Sequence, residues 1–189
     1  MTINPLQHWS TRKKSALFIG LLITTLIMMT VLNTVGEPLV TDPAPVGIVS
    51  FELARTEAQA ETILNSWNQN ARILAAFSLG LDYLFLFAYS TTIAMGLALL
   101  LDLWQFPAQV AAALNWLMLG QWLAAALDAI ENALLLAILL GDIESLLTQA
   151  AFWVAAAKFA LVGLGIAVVS LGLFFRLLRN LLRRRPASG

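Results

Sequence analysis

Four long apolar segments divide the chain, and the stretches between them carry most of its polar residues. Each apolar run is long enough to cross a bilayer as a helix, since about 20 apolar residues span a hydrocarbon core. The pattern predicts spans over 15–35, 72–101, 108–140 and 148–178. The last three exceed the minimum and are expected to tilt or project beyond the core. Around them lie a basic N-terminus (1–14), a polar segment (36–71), a short turn (102–107), a second turn (141–147) and a basic tail (179–189). The fold class that follows is all-α, a transmembrane four-helix bundle.

The 36–71 segment has its own periodicity. A proline-broken stretch, "GEPLVTDPAPVG", leads into "IVSFELARTEAQAETILNSWNQN". Thr56 and Gln59 have the spacing of a capping box, and Ala60, Ile63, Leu64 and Trp67 share one face of the helix that follows. An amphipathic helix is expected on the outer surface, with Trp67 at the membrane interface. It serves either as a lid over the outer end of the bundle or as a partner-docking or ligand-gating element.

Composition supports the membrane reading. The chain is 60% hydrophobic and 12% charged, with a mean hydropathy of +0.82. Soluble domains carry roughly twice that share of charge. Cysteine is absent, which excludes disulfides, thiolate metal sites and thiol catalysis. The single histidine, His8, precedes the first span, so the usual intramembrane ligand for haem or zinc is missing. No cofactor and no metal are expected.

Charge sets the orientation. Arg12, Lys13 and Lys14 precede span one, and Arg176, Arg179, Arg183, Arg184 and Arg185 close span four. The 36–71 segment holds Glu37, Asp42, Glu52, Glu57 and Glu61 against Arg55 alone, and the 141–147 turn adds Asp142 and Glu144. Both termini are therefore expected in the cytoplasm, N-in and C-in, of a bacterial inner-membrane protein. The first span is read as retained, because its apolar run exceeds a signal-peptide h-region and no small-x-small site follows promptly. The basic tail is expected to fix topology and touch anionic lipid, not nucleic acid. Partners are membrane lipids and a protein meeting the outer helix or the lipid-facing surface.

The third span raises the chemical question, because "AAALDAIENALLLAILLG" carries polar residues in its middle. With Asp128 as reference, Gln121 lies about 20° away, Asn132 about 40° and Glu131 about 60° on the other side. A carboxylate in hydrocarbon costs a few kcal/mol or more, so this face points into the bundle. Span two has a matching stripe in Ser78, Asp82 and Tyr89. On span four Lys158, Gly165 and Gly172 recur every seven residues, and small residues let helices approach closely. Counted from the outer ends, Asp82, Glu131 and Lys158 sit at a common depth of roughly 13–15 Å. Contact between Lys158 and one or more of the acids is expected. The candidate ligand or ion site is Asp82, Asp128, Glu131, Asn132, Lys158, Gln121, Ser78 and Tyr89.

Three carboxylates against one ammonium leave negative charge to be balanced. Protons, a bound cation or Arg72 at the outer mouth are the candidates. Thr30, Asn33 and Thr34 on span one are expected to make interhelical hydrogen bonds.

The motifs "GIVSFELA", "LGLDYLFLFAYS" and "LDAIENALLLAIL" resemble a family of small uncharacterised bacterial four-span membrane proteins, over roughly residues 47–175. The resemblance implies Asp82, Asp128, Glu131 and Asn132 as characteristic polar positions and brings no activity with it. Functional readings remain open between a structural or accessory membrane protein, a binder of a small amphiphile or cation, an intramembrane acid/base enzyme and a transporter.

Overall fold

The computed structural model describes residues 9–183, and His8, Arg184 and Arg185 lie outside the described residues. Within them the chain is helical, with four long apolar helices and no strand. These are α1 (Thr11–Gly36), α4 (Gln69–Leu103), α5 (Ala108–Leu140) and α6 (Ser145–Arg183). Two short helices, α2 (Ile48–Glu52) and α3 (Glu57–Ser66), lie between α1 and α4. All four long helices are long and apolar enough to cross a membrane.

Local chemistry sets the helix ends. The side chains of Ser10, Thr56 and Asn68 each accept from a backbone N–H in the first turn of α1, α3 and α4. Such bonds satisfy amides that have no partner within the helix. At the N-terminus of α3, Gln59 Nα–H donates to the Thr56 hydroxyl, while Gln59 Oε1 accepts from Arg55 N at 2.9 Å. The reciprocal bond thus reaches one residue further back than a standard capping box. Gly141 closes α5 with a φ of +119°, a conformation that favours a residue without Cβ.

The packing is less symmetric than a plain four-helix bundle. Helix α4 is central and packs on α1, α5 and α6, while α1 packs chiefly along α4. Thr25 and Thr92 share a hydrogen bond of 2.8 Å across the α1–α4 seam, and Lys14 pairs with Asp102 at 2.7 Å near one end of it. The expected interhelical bonds of Thr30, Asn33 and Thr34 are not the ones formed. Thr30 and Thr34 instead donate to Leu26 O and Thr30 O of their own helix, and Asn33 is exposed. A threonine facing outward in an apolar environment satisfies its hydroxyl on the preceding turn.

The stripe on α6 faces the bundle. A Cβ at Gly165 would stand 2.7 Å from Gln121 Nε2 and from Ile93 Cγ2, and one at Gly172 would stand 2.6 Å from Leu100 Cδ1. Side chains of α4 and α5 fill that space, so the α6 backbone at these glycines lies directly against them.

Helices α2 and α3 cap the end where α4 and α6 begin and α5 finishes. Phe51, Ala60, Ile63, Leu64 and Trp67 are buried together with Ala75, Leu135, Ile138 and Ala151 of the long helices. Trp67 is turned into the cap. It is 3% exposed, meets Phe51 edge-on at 5.4 Å and donates from Nε1 to Leu39 O at 2.9 Å. Burying so large a ring requires a partner for its N–H, and the turn after α1 supplies one. Arg72 is likewise committed. Its Nε and Nη2 donate to Leu64 O at 3.1 and 2.6 Å, closing the last turn of α3.

Candidate functional site

A polar layer separates two apolar clusters. Leu79, Leu135 and Ala151 belong to the capped end, and Leu86, Ala125 and Val162 to the cluster beyond it. Between them, α4 presents Asp82 and Tyr89, α5 presents Asp128, Glu131 and Asn132, and α6 presents Lys158. The helical rise places Asp82, Asp128 to Asn132 and Lys158 near one level, with Tyr89 two turns further along α4 and reaching Asp128 through its hydroxyl. The small neighbours Ala124, Ala125 and Ala155 let the three helices close around them.

Lys158 is the hub. Its ammonium lies 2.7 Å from Glu131 Oε2, 3.0 Å from Asp128 Oδ1 and 3.4 Å from Glu52 Oε2. Asp128 is shared in turn, because Tyr89 donates its hydroxyl to Asp128 Oδ2 at 2.8 Å. Glu131 is fully buried, at 0% exposure. Its contact with Lys158 is close in distance but off the hydrogen-bonding direction, so neither carboxylate oxygen has a directed hydrogen bond among the described residues. Charge attraction, not a shared proton direction, holds that pair.

Glu52 is the member that sequence reasoning missed. It was counted with the acidic charge of the outer segment, yet α2 ends at Glu52 and turns the side chain inward to Lys158. Burial pushes the Glu52 carboxyl above its usual range, with the Lys158 ammonium pulling it down and the Asp128 carboxylate raising it further. The available signal was the apolar setting of "FELA", in which Phe51 and Ala54 are both buried.

Asp82 sits beside this hub in a separate pair. Asn132 Nδ2 donates to Asp82 Oδ2 at 2.7 Å, and Asp82 remains half-buried. Asn132 is adjacent to Glu131 in sequence, so the pair flanks the Lys158 group without an ion pair to it. Gln121 lies about two turns further along α5 and donates to Leu161 O at 3.1 Å. Its Oε1 has no hydrogen-bond partner among the described residues. Ser78 is buried one turn from Asp82, outside the bonded network of the described residues.

The chemistry open to this group is narrow. An ammonium has three N–H donors, and here three carboxylates surround it. The Lys158 nitrogen itself thereby occupies the space among the three carboxylates. Among the described residues, no group of three or more His, Cys, Asp or Glu is arranged to hold a metal ion. One groove of the described residues lies away from this group. That groove, of about 420 Å³, lies on the cap and is lined by Ser50, Leu53, Gln59, Thr62 and Ile63, among others. Family models, curated proteins and solved structures offer no match to this chain, so the geometry carries the functional reading.

Proposed function

We propose that the chain is a multi-pass cell-membrane protein with both termini in the cytoplasm, whose buried charge cluster clasps an extracytoplasmic lid to the helix bundle. Its role is structural or accessory. Four apolar helices and the opposition of basic termini to an acidic 36–71 segment support the orientation. The observation that carries the clasp is the position of Lys158, whose ammonium joins Glu52 of the lid to Asp128 and Glu131 of α5. One side chain thereby connects three segments far apart in sequence. The uncovered apolar faces of α1 and α6 are left for lipid or for a protein partner.

The test is limited proteolysis of the purified full chain in detergent, comparing wild type with Lys158→Met and Glu52→Gln. Faster cleavage within 37–66 in Lys158→Met is the expected result, with Glu52→Gln, which keeps the shape and loses the charge, changed less. Unchanged cleavage in Lys158→Met would remove the clasp.

The groove on the cap favours a second reading, in which the lid receives a small amphiphile. Its volume suits a small ligand, and the hydroxyls of Ser50 and Thr62 stand beside Leu53 and Ile63. Saturable protection of the lid from protease by a short-chain amphiphile, lost in Thr62→Leu, distinguishes this reading from a purely structural lid.

A further inference from the structure

The end of the bundle opposite the cap has a site of its own. Helix α4 ends at Leu103, and Trp104 follows as its C-cap. The indole Nε1 of Trp104 is shielded from solvent and has no hydrogen-bond partner among the described residues. Over the same ring lie two guanidinium groups, with Arg176 Cζ at 6.0 Å and Arg179 Cζ at 5.5 Å from its centroid. Each is close enough for attraction to the ring face.

Placement of these arginines is not incidental to the helix packing. Lys158, Gly165, Gly172 and Arg179 follow one another at intervals of seven on α6, and Arg176 lies on the same face. Gly172 seats this face against Leu100 of α4, one turn before Arg176. The close approach that packs the bundle therefore also carries both guanidiniums over the residue that ends α4.

The side-chain polar groups gathered at this ring, two guanidiniums and the indole N–H, are all donors. The acid nearest in sequence, Asp102, is taken by Lys14 at 2.7 Å. Neither Arg176 nor Arg179 forms an ion pair among the described residues, and no Asp or Glu occurs after Glu144 in the chain. Helix α5 begins four residues beyond Trp104, without a side-chain cap and without an acid in its first turn. What is missing is an acceptor that carries negative charge.

We propose that Trp104, Arg176 and Arg179 form a binding site for a phosphate group at this end of the bundle. The planar guanidinium forks suit phosphate oxygens, and the indole N–H supplies a third donor. Exposed Phe174, Phe175 and Leu178 flank the arginines on α6, so the surroundings fit the acyl chains of an anionic phospholipid better than a free ion. The inference goes beyond the clasp and is independent of it, since no residue is shared.

The experiment titrates the full chain in neutral detergent with short-chain phosphatidylglycerol, reading thermal shift and lipid adducts by native mass spectrometry. Inorganic phosphate and an uncharged diacylglycerol of equal chain length are the parallel arms. Saturable binding of phosphatidylglycerol is expected, weakened about tenfold or more in Arg176→Gln/Arg179→Gln and several-fold in Trp104→Phe, which keeps the ring and loses only the N–H. Arg183→Gln, an exposed arginine on the same helix, should stay within about twofold of wild type. Saturation by inorganic phosphate with the same variant dependence supports the site and assigns the free anion as its ligand. Binding of the uncharged lipid alone, no saturable binding in any arm, or equal losses in Arg183→Gln and the double variant overturns the site. Trp104→Phe, with its conservative change, decides the matter where the double variant does not fold.

Discussion

Lys158 and Glu52 meet at 3.4 Å although 106 positions separate them in sequence. The contact ties the last residue of a short cap helix to the middle of a long apolar one. Its consequence is that cap and bundle share one electrostatic group, which also contains Asp128 and Glu131. Removing the ammonium leaves Glu131 buried without a counter-charge. Lys158→Met is therefore expected to destabilise the fold by about 3–5 kcal/mol, the usual cost of stranding a buried charge. Reversible unfolding in mixed detergent measures it. A loss no larger than that of a neighbouring surface change, such as Gln149→Ala, would contradict the clasp.

How much of this was visible in the sequence depends on what fixes each position. On α4, α5 and α6 the backbone rise is constant, so depth could be counted, and the meeting of Lys158 with Asp128 and Glu131 followed. The same counting could not separate Asp82, because the choice between Lys158 and Asn132 as its partner rests on side-chain geometry. Glu52 escaped for another reason. It follows a proline-broken stretch, and its direction is set by tertiary burial of Phe51 against Trp67, which no periodicity of five residues encodes. The partners of Trp67 and Arg72 were illegible for the same reason, since no spacing announces that their N–H groups go to Leu39 O and Leu64 O. The lateral position of α1 was illegible because its residues are apolar all round.

The raised affinity of Glu52 for its proton has a defined signature in pH. Its folded carboxyl holds the proton more tightly than the ordinary value of 4.5, under burial and in the presence of Lys158 from α6 and Asp128 and Glu131 from α5. The folded state thus binds more protons than the unfolded one as pH climbs above 4.5, and this residue's contribution to stability declines over that range. Glu52→Gln lacks the titration. Melting curves for the two proteins should run parallel below 4.5 and converge, or cross in favour of the variant, above it. Parallel curves throughout would show that Glu52 has the same proton affinity folded and unfolded.

Gly165 and Gly163 offer a matched pair on one helix. A methyl group at Gly165 would press on Gln121 Nε2 and Ile93 Cγ2, each 2.7 Å from the added Cβ, whereas nothing lies within 4 Å of one at Gly163. Gly165→Ala should cost about 1–3 kcal/mol through overpacking. Gly163→Ala should be neutral or stabilising, since alanine favours the helix by roughly 0.5–1 kcal/mol. The comparison is made by thermal unfolding of both variants in one detergent. Equal effects would mean that Gln121 and Ile93 do not press on the α6 backbone at Gly165.

The absence of cysteine makes orientation directly measurable. Single cysteines can be placed at exposed positions without background labelling, one at Asp142 in the α5–α6 turn, one at Glu57 of α3 and one at Gln105 between α4 and α5. If the acidic segment faces outward, a membrane-impermeant maleimide added to intact cells labels Asp142→Cys and Glu57→Cys. Gln105→Cys reacts only after the membrane is opened. The physical ground is that basic flanks are retained on the cytoplasmic side, and Lys13, Lys14, Arg176 and Arg179 all lie at the end that holds Gln105. Labelling of Gln105→Cys alone in intact cells would invert the protein, placing the Lys158 clasp and its lid on the inner side. Labelling of all three would mean that no membrane separates the two ends.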